Sequence, residues 1–441
     1  VKQVLVLGAG LVAGPLVRYL LGVKGVHVTV ASRTVEKARR LVGTAANGTA
    51  VALNVDDQNA LERAVAGCDL AISLLPYVYH PRVARLCVEH EAQMVTTSYV
   101  KDEMRALDDP ARSAGVILLN EIGVDPGIDH MSAMQVIDRI GREGETLVSF
   151  TSNTGGLPAP DSNDNPMGYK FSWAPRGVVL AGKNPARYLK EGEVVDVPGT
   201  ELFAHHWPCE VVEFGELEVY PNRDSLPYID SYGISSAKSM FRGTLRYPGW
   251  CETMKRIVAL GLLDETPRTD LGGLTFARLT GRLIGTSGAA GPQDLAAHFG
   301  LPRDAKPVTD LEWLGLTSGD PLPAGADTLL DVLARRMLEK MQYAPGERDM
   351  LVMQHEFVVE RSHGREKITS TLVDYGIPNG DSAMSRLVGL PAAIAARRIL
   401  DGTIDLVGVQ VPTSPSIYEP VLGELAGMGV AFEETVSPIQ R

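Results

Sequence analysis

An α/β fold, with an N-terminal doubly wound parallel domain, a mixed α/β substrate domain and a helical subdomain, is predicted by three features of the chain. An apolar strand at the start runs into a Gly-x-Gly turn, strand and helix alternate up to about residue 124, and longer strands followed by a helical block then replace that pattern.

The first strand, Val4-Leu5-Val6-Leu7, leads into Gly8-Ala9-Gly10-Leu11-Val12-Ala13. In such a dinucleotide fingerprint Gly8 makes the tight turn, Gly10 lets backbone approach a pyrophosphate, and Ala13 lets the following helix pack close to the strand. Pro15 falls in the first helical turn, where backbone N–H groups have no intrahelical partner to lose. About twenty residues on, an NAD site usually places an acid that accepts from the ribose 2′-hydroxyl. Here the slot holds Ser32-Arg33-Thr34, and a guanidinium flanked by two hydroxyls suits a 2′-phosphate, so the expected cofactor is NADP(H). A Gly-rich turn that merely starts a helix is the plain alternative.

Strands are expected at 26–31, 50–55, 70–74, 93–97 and 116–119, with helices at 34–41, 58–65, 83–89 and 102–114. Asp125-Pro126-Gly127 punctuates the chain, and a helix is expected over 131–140. Antiparallel-looking strands follow at 147–151, 178–180 and 217–220, and Gly155-Gly156-Leu157-Pro158-Ala159-Pro160 reads as a fixed loop. Residues 251–341 are helical, and strands at 352–360 and 366–373, joined through His363-Gly364, return to the second sheet. The Ala-rich helix 392–400 and a terminal strand near Val430 have the apolar character to dock on the dinucleotide domain. The expected domains are therefore 1–124 with about 386–441, 125–250 with 342–385, and 251–341.

Composition narrows the function. A net charge of −12 over 441 residues disfavours a nucleic-acid or anionic-membrane surface, so substrate carboxylates have to be held by local arginines. Cys68, Cys87, Cys209 and Cys251 show neither a CxxC nor a Cys/His ligand pattern, which points away from zinc and from a disulfide framework. With no span-length apolar stretch and no signal-like region before the first strand, a cytoplasmic protein is expected.

Leu74 and Thr97-Ser98-Tyr99 stand at the carboxyl ends of predicted strands, where open parallel sheets bind ligands. Tyr99 also fits a core tyrosine with a satisfied hydroxyl. Asp125 lies in the turn-rich Glu121–Gly127 loop, where an Asx turn or helix cap would serve equally. Arg223 in Tyr220-Pro221-Asn222-Arg223-Asp224-Ser225 and Arg246 in Arg242-Gly243-Thr244-Leu245-Arg246-Tyr247 sit beside turn residues. Solvation is the ordinary fate of such arginines, and carboxylate recognition is the functional one.

These segments, with Ser73-Leu74-Leu75-Pro76-Tyr77, Asn120 to His130, Asn165-Pro166-Met167-Gly168-Tyr169-Lys170-Phe171-Ser172-Trp173 and Ser370 to Gly376, resemble the saccharopine reductase family over nearly the whole chain. The resemblance implies a Rossmann-variant domain, a mixed α/β substrate domain and a helical domain over the cleft. It implies interconversion of saccharopine with glutamate and α-aminoadipate semialdehyde, by hydride transfer through an imine, in lysine metabolism. Implied NADP(H) contacts are Gly8, Gly10, Leu11, Val12, Ser32, Arg33, Thr34, Asn54, Val55, Leu74, Thr97, Ser98, Val124 and Trp173. Implied substrate contacts are Ser98, Tyr99, Asp125, Arg223, Thr244, Leu245 and Arg246. Asp125 would orient or accept the amine proton, with Tyr99 as its hydrogen-bonding partner and water sharing the transfer. No metal is implied, the partners are small amino acids, and a homodimer is expected from symmetry alone. Asn153-Thr154 replaces the Tyr-Cys the family often has, so no thiol acts there, and Asn54 replaces a common acid. A related imine reductase of the carboxyspermidine-dehydrogenase type, and a non-catalytic NADPH-sensing protein, remain as alternatives.

Overall fold

The computed structural model describes residues 1–172, 175–212, 214–362 and 364–439. Strand β1 (Lys2–Leu7) leads into α1 (Ala13–Leu21), and β2 (Val26–Ser32), α2 (Val35–Val42), β3 (Gly48–Ala52), α3 (Gln58–Ala66) and β4 (Leu70–Ser73) continue the alternation. Next come α4 (His80–Glu89), β5 (Gln93–Thr96), α5 (Asp102–Arg105), α6 (Asp108–Ser113), β6 (Ile117–Leu119) and α7 (Ile128–Arg142). The middle of the chain forms β7 (Thr146–Pro158), α8 (Pro175–Ala181), β8 (Ala186–Lys190), β9 (Glu193–Val197), β10 (Trp207–Val211), β11 (Gly215–Pro221), α9 (Pro227–Ser231) and β12 (Ser239–Arg246). Helices α10 (Trp250–Ala259), α11 (Phe276–Ile284), α12 (Pro292–Phe299), α13 (Lys306–Trp313) and α14 (Leu329–Lys340) precede β13 (Asp349–Arg361) and β14 (Gly364–Tyr375). The chain closes with α15 (Ala383–Leu400), β15 (Gly408–Gln410), α16 (Pro415–Gly427) and β16 (Glu433–Pro438).

Two compact units result, Val1–Glu145 with Gly380–Glu433, and Thr146–Asn379 with Glu434–Arg441. The first is built on a seven-stranded sheet in the order β15-β6-β5-β4-β1-β2-β3, its paired strands parallel. Strands of such a sheet are covered on both faces, which is why β1 and β4 read as nearly unbroken apolar runs. Strand order reverses beside β1, between β2 and β4, so the crevice that takes ligands in a doubly wound sheet lies at the Gly8 turn. Helix α15 packs on α1 at Gly389, where an added Cβ would stand 2.8 Å from the Val12 carbonyl oxygen.

The second unit carries a nine-stranded mixed sheet whose main path is β10-β11-β12-β7-β13-β14-β16, with β8 pairing β12 and β9. Its core joins strand residues such as Leu157, Val219, Leu245 and Val352 to Trp250, Met254, Leu330 and Met337 of α10 and α14. Residues 251–341, read from sequence as a helical subdomain, fall within this unit. No helix among the described residues is long and apolar enough to cross a membrane.

Several expected elements take another form. Residues 155–158 are not a loop but the end of β7, because the glycines admit close neighbours: a Cβ on Gly155 would lie 2.7 Å from the Leu245 carbonyl oxygen. β7 runs parallel to β12 and antiparallel to β13, so the sheet is mixed rather than wholly antiparallel. Val178–Leu180 is helical within α8, a short apolar run that periodicity cannot separate from a strand, and Arg176 of that helix pairs with Glu265 and Asp331. The helix expected over 102–114 is split into α5 and α6, since Pro110 belongs in a first turn and disfavours helical backbone before it. The terminal strand does not dock on the first unit: β16 is exposed along its length and joins the free edge of β14 in the second sheet, while Val430 stays buried in the first unit. The β13–β14 hairpin forms with Arg361 opposite Gly364, and His363 lies outside the described residues.

Candidate active site

At the C-terminal end of β1, Gly8 has φ +114°, and a Cβ there would meet the Leu74 carbonyl oxygen at 3.1 Å. Glycine is therefore required both for the turn and for the approach of the β4 end. Around Gly10 an added Cβ would meet nothing within 4 Å, leaving open space at the start of α1, where a pyrophosphate is held by the first N–H groups. Leu11 is 72% exposed beside it, and Val12 caps α1. At the end of β2, Ser32 Oγ accepts from Thr34 N at 3.2 Å, while Arg33 and Thr34 are exposed. Arg33 has no ion pair among the described residues, so its guanidinium is available to a 2′-phosphate. Asn54 is exposed and folds an Asx turn by accepting from Asp56 N at 3.2 Å; Val55 is buried in the core of this unit. These residues fit a phosphorylated dinucleotide. Trp173, the remaining expected contact, lies outside the described residues.

The rim formed by the ends of β4, β5 and β6 carries the polar chemistry. Tyr99 donates its hydroxyl to Asp125 Oδ1 at 3.0 Å, bringing the two expected catalytic residues together. Asp125 sits in a tight loop in which the Asp125–Pro126 peptide is cis and Gly123 N donates to the Pro126 carbonyl at 2.9 Å. Gly127, at φ +149°, leaves no room for a Cβ, which would sit 2.1 Å from the Gly123 carbonyl oxygen. Val124 is buried in this loop, and Thr97 packs against Gly123.

Two buried polar groups that sequence reasoning did not single out hold the rim. Glu121, at φ +57° and 6% exposed, accepts from Val100 N at 2.9 Å through Oε1, and its own N–H donates to the Ser98 carbonyl at 3.1 Å. Tyr99 is thus gripped on both sides. The second oxygen, Oε2, faces His130 Nε2 at 2.8 Å, and the neighbouring Asp129 Oδ1 accepts from Gly127 N at 2.6 Å. His80 is the other group: Nδ1 meets Ser73 Oγ at 2.9 Å and Nε2 meets Ser98 Oγ at 2.8 Å. Burial lowers its pKa to about 4, so near neutrality one ring nitrogen donates and the other accepts. The signal was present in Ser73 and Thr96, polar residues that close β4 and β5 after apolar ones.

In the second unit Thr244, Leu245 and Arg246 end β12, opposite Tyr220, Val219 and Glu218 of β11. Arg223 follows the other end of β11, beyond Pro221, in a left-handed turn at φ +58° whose carbonyl accepts from Arg187 N. The two expected carboxylate-binding arginines therefore stand at different ends of one ladder. Arg223 is exposed, whereas Arg246 is 7% exposed, lies 4.9 Å from the Tyr169 ring centre and 5.6 Å from that of Trp250, and donates from Nη1 to the Leu245 carbonyl. Leu245 is wholly buried and its carbonyl accepts from Arg246 Nη1, so no part of it is open to a ligand here. Tyr220 is pushed up to about 12 by burial, partly offset by Arg246. On β7, in register with Gly243 and Thr244, Asn153 Oδ1 and Thr154 Oγ1 are buried without a hydrogen-bond partner among the described residues. Among the described residues no group of three or more His, Cys, Asp or Glu side chains is placed to hold a metal ion.

A dinucleotide turn at the reversal point of a parallel sheet, with a Tyr–Asp pair on the same rim, defines a nicotinamide-dependent oxidoreductase. Comparison with known proteins agrees. Residues 4–119 match the saccharopine dehydrogenase NADP binding domain, and residues 123–430 match the saccharopine dehydrogenase C-terminal domain. Saccharopine dehydrogenase [NADP(+), L-glutamate-forming] from Schizosaccharomyces pombe is 41% identical over 98% of this chain and 99% of its own. The mitochondrial alpha-aminoadipic semialdehyde synthase of Bos taurus is 41% identical over 98% of this chain but 47% of its own. The solved apo saccharopine dehydrogenase (L-Glu forming) of Saccharomyces cerevisiae superposes with a TM-score of 0.91 at 38% identity, covering 99% of this chain and 100% of that one. The chain belongs to the saccharopine dehydrogenase family, as an oxidoreductase that uses NADP(H).

Proposed function

We propose that this enzyme interconverts L-saccharopine with L-glutamate and L-α-aminoadipate 6-semialdehyde, the saccharopine reductase reaction of lysine metabolism. The observation that carries the reading is the 3.0 Å hydrogen bond between Tyr99 and Asp125 on the rim beside the Gly8 turn, in a chain that matches glutamate-forming relatives over nearly their whole length.

When bound, NADP(H) supplies or takes the hydride at its nicotinamide C4. For oxidation, the secondary amine of saccharopine has to be deprotonated, so that its lone pair forms the C=N bond as hydride leaves the adjoining carbon. Asp125 orients that amine and accepts its proton directly or through water, and Tyr99 fixes the carboxylate. Water then adds to the imine carbon and the C–N bond breaks, leaving the aldehyde on one fragment and the amine of glutamate on the other. In the reading, Ser98, Arg223, Thr244 and Arg246 bind the substrate. Arg223, an exposed residue, reads a carboxylate by its guanidinium, and Thr244 supplies a hydroxyl. The compartment in this reading is the cytoplasm, in keeping with four free cysteines, and the assembly is a homodimer, testable by light scattering.

The test is NADPH oxidation with glutamate and α-aminoadipate semialdehyde, run beside NADH and beside an imine formed from a polyamine. Fast turnover with the first pair supports the reading. No oxidation with it, or preference for the polyamine imine, removes it.

A further inference from the structure

A cavity of about 280 Å³ opens in the first unit where α4 begins, walled by the segments around residues 77–85 and 99–104. Three cations, Arg82, Arg85 and Lys101, line it against one acid, Glu103. Such a surplus is out of keeping with a chain of net charge −12, and like charges gathered around one space repel unless an anion answers them. Arg82 Nη2 is enclosed in the wall without a hydrogen-bond partner among the described residues, so this guanidinium is not already committed to a carboxylate of the chain. Lys101 Nζ sits 3.6 Å from the centre of the Tyr77 ring, which fixes the ammonium against the wall. Tyr99 closes another side while its hydroxyl binds Asp125.

We propose that this cavity is a carboxylate subsite for the amino-acid substrate, with Arg82 and Lys101 as its anion-binding groups. The inference rests on the substrate assigned above and deepens it. Saccharopine carries three carboxylates, and the two arginines assigned to it, Arg223 and Arg246, are one short of that number, so a further cation is needed. The space falls just short of the roughly 300–1,000 Å³ of pockets for drug-sized ligands, which suits one short arm of a longer molecule. Its place on the carboxyl-end rim, against Tyr99, sets that arm beside the reacting amine.

The test is steady-state kinetics of Arg82→Gln, Lys101→Met and the double variant, with saccharopine and NADP⁺ varied separately. Lys101→Met keeps an apolar stem to cover Tyr77, so it probes charge even where the arginine change perturbs folding. The KM for saccharopine is expected to rise about tenfold or more in each single variant, as for loss of a charge-assisted hydrogen bond, with the KM for NADP⁺ within twofold. In the reductive direction the same variants raise the KM of glutamate or of the semialdehyde, identifying the arm held. An unchanged saccharopine KM, or an equal rise in the KM for NADP⁺, overturns the subsite. Failure of the unaltered enzyme to reduce NADP⁺ with saccharopine is a different result, which removes the substrate assignment itself.

Discussion

Tyr99 and Asp125 come from separate loops, after β5 and after β6, yet meet through a 3.0 Å hydrogen bond. The contact orients a carboxylate toward one task and joins the two loops into a single rim. Asp125→Ala should therefore lower kcat by about 100-fold or more and change the pH profile of kcat/KM, the range expected for losing a general base. Tyr99→Phe, which keeps the ring, should cost less. Steady-state rates from pH 6 to 10 check both, and an Asp125→Ala enzyme with unaltered turnover and profile contradicts the assigned role.

Glu121 is the support beneath that pair. Glu121→Ala removes the carboxylate that accepts from the part-buried Val100 N and faces the buried His130 Nε2, a loss on the order of 3 kcal/mol. The variant should unfold at lower urea and lose kcat through a mispositioned Tyr99. Glu121→Gln, which retains an acceptor for Val100 N, should recover part of both. Equal behaviour of the two variants would show that the carboxamide cannot take over the Val100 contact.

Cofactor choice is expected to rest on Arg33. Arg33→Glu places an acid at the proposed 2′-phosphate contact, so the KM for NADPH should rise by about 100-fold while that for NADH changes little. Parallel titrations of the two cofactors check this, and equal losses would refute the 2′-phosphate contact.

His80 predicts a pH dependence of stability. Its folded pKa of about 4 lies below the ordinary value near 6.5, so between these values the unfolded chain binds a proton that the folded chain does not. Stability should thus fall as pH drops from about 6.5 toward 4, with this residue contributing on the order of 2 kcal/mol of loss between pH 7 and pH 5. Urea midpoints of the unaltered protein and of His80→Asn at both pH values test it: the variant should show the smaller pH effect.

The parts of the site that the sequence disclosed are those whose chemistry is local. Gly8 and Gly10 announce a turn, Ser32-Arg33-Thr34 follows a strand at the 2′-phosphate slot, and Tyr99 and Asp125 sit where strands end. Glu121, His130 and His80 escaped notice because no spacing motif links them to partners lying 7 to 21 residues away, which come within reach only once the loops after β4, β5 and β6 are folded. The end of β7 was hidden for a related reason. Gly155 looks like a loop residue in isolation, and only the Leu245 carbonyl beside it explains why a strand needs glycine there. The same holds for Arg223 and Arg246, whose motifs suggest one binding face although β11 and β12 place them at different ends of a ladder.

The most direct measurement is oxidation of saccharopine with NADP⁺, following NADPH by absorbance while the amino acids formed are identified and counted. Glutamate appearing in equal amount with NADPH, and a semialdehyde as the other fragment, is the predicted result. No NADPH, or cleavage to lysine and 2-oxoglutarate on the other side of the nitrogen, would contradict it.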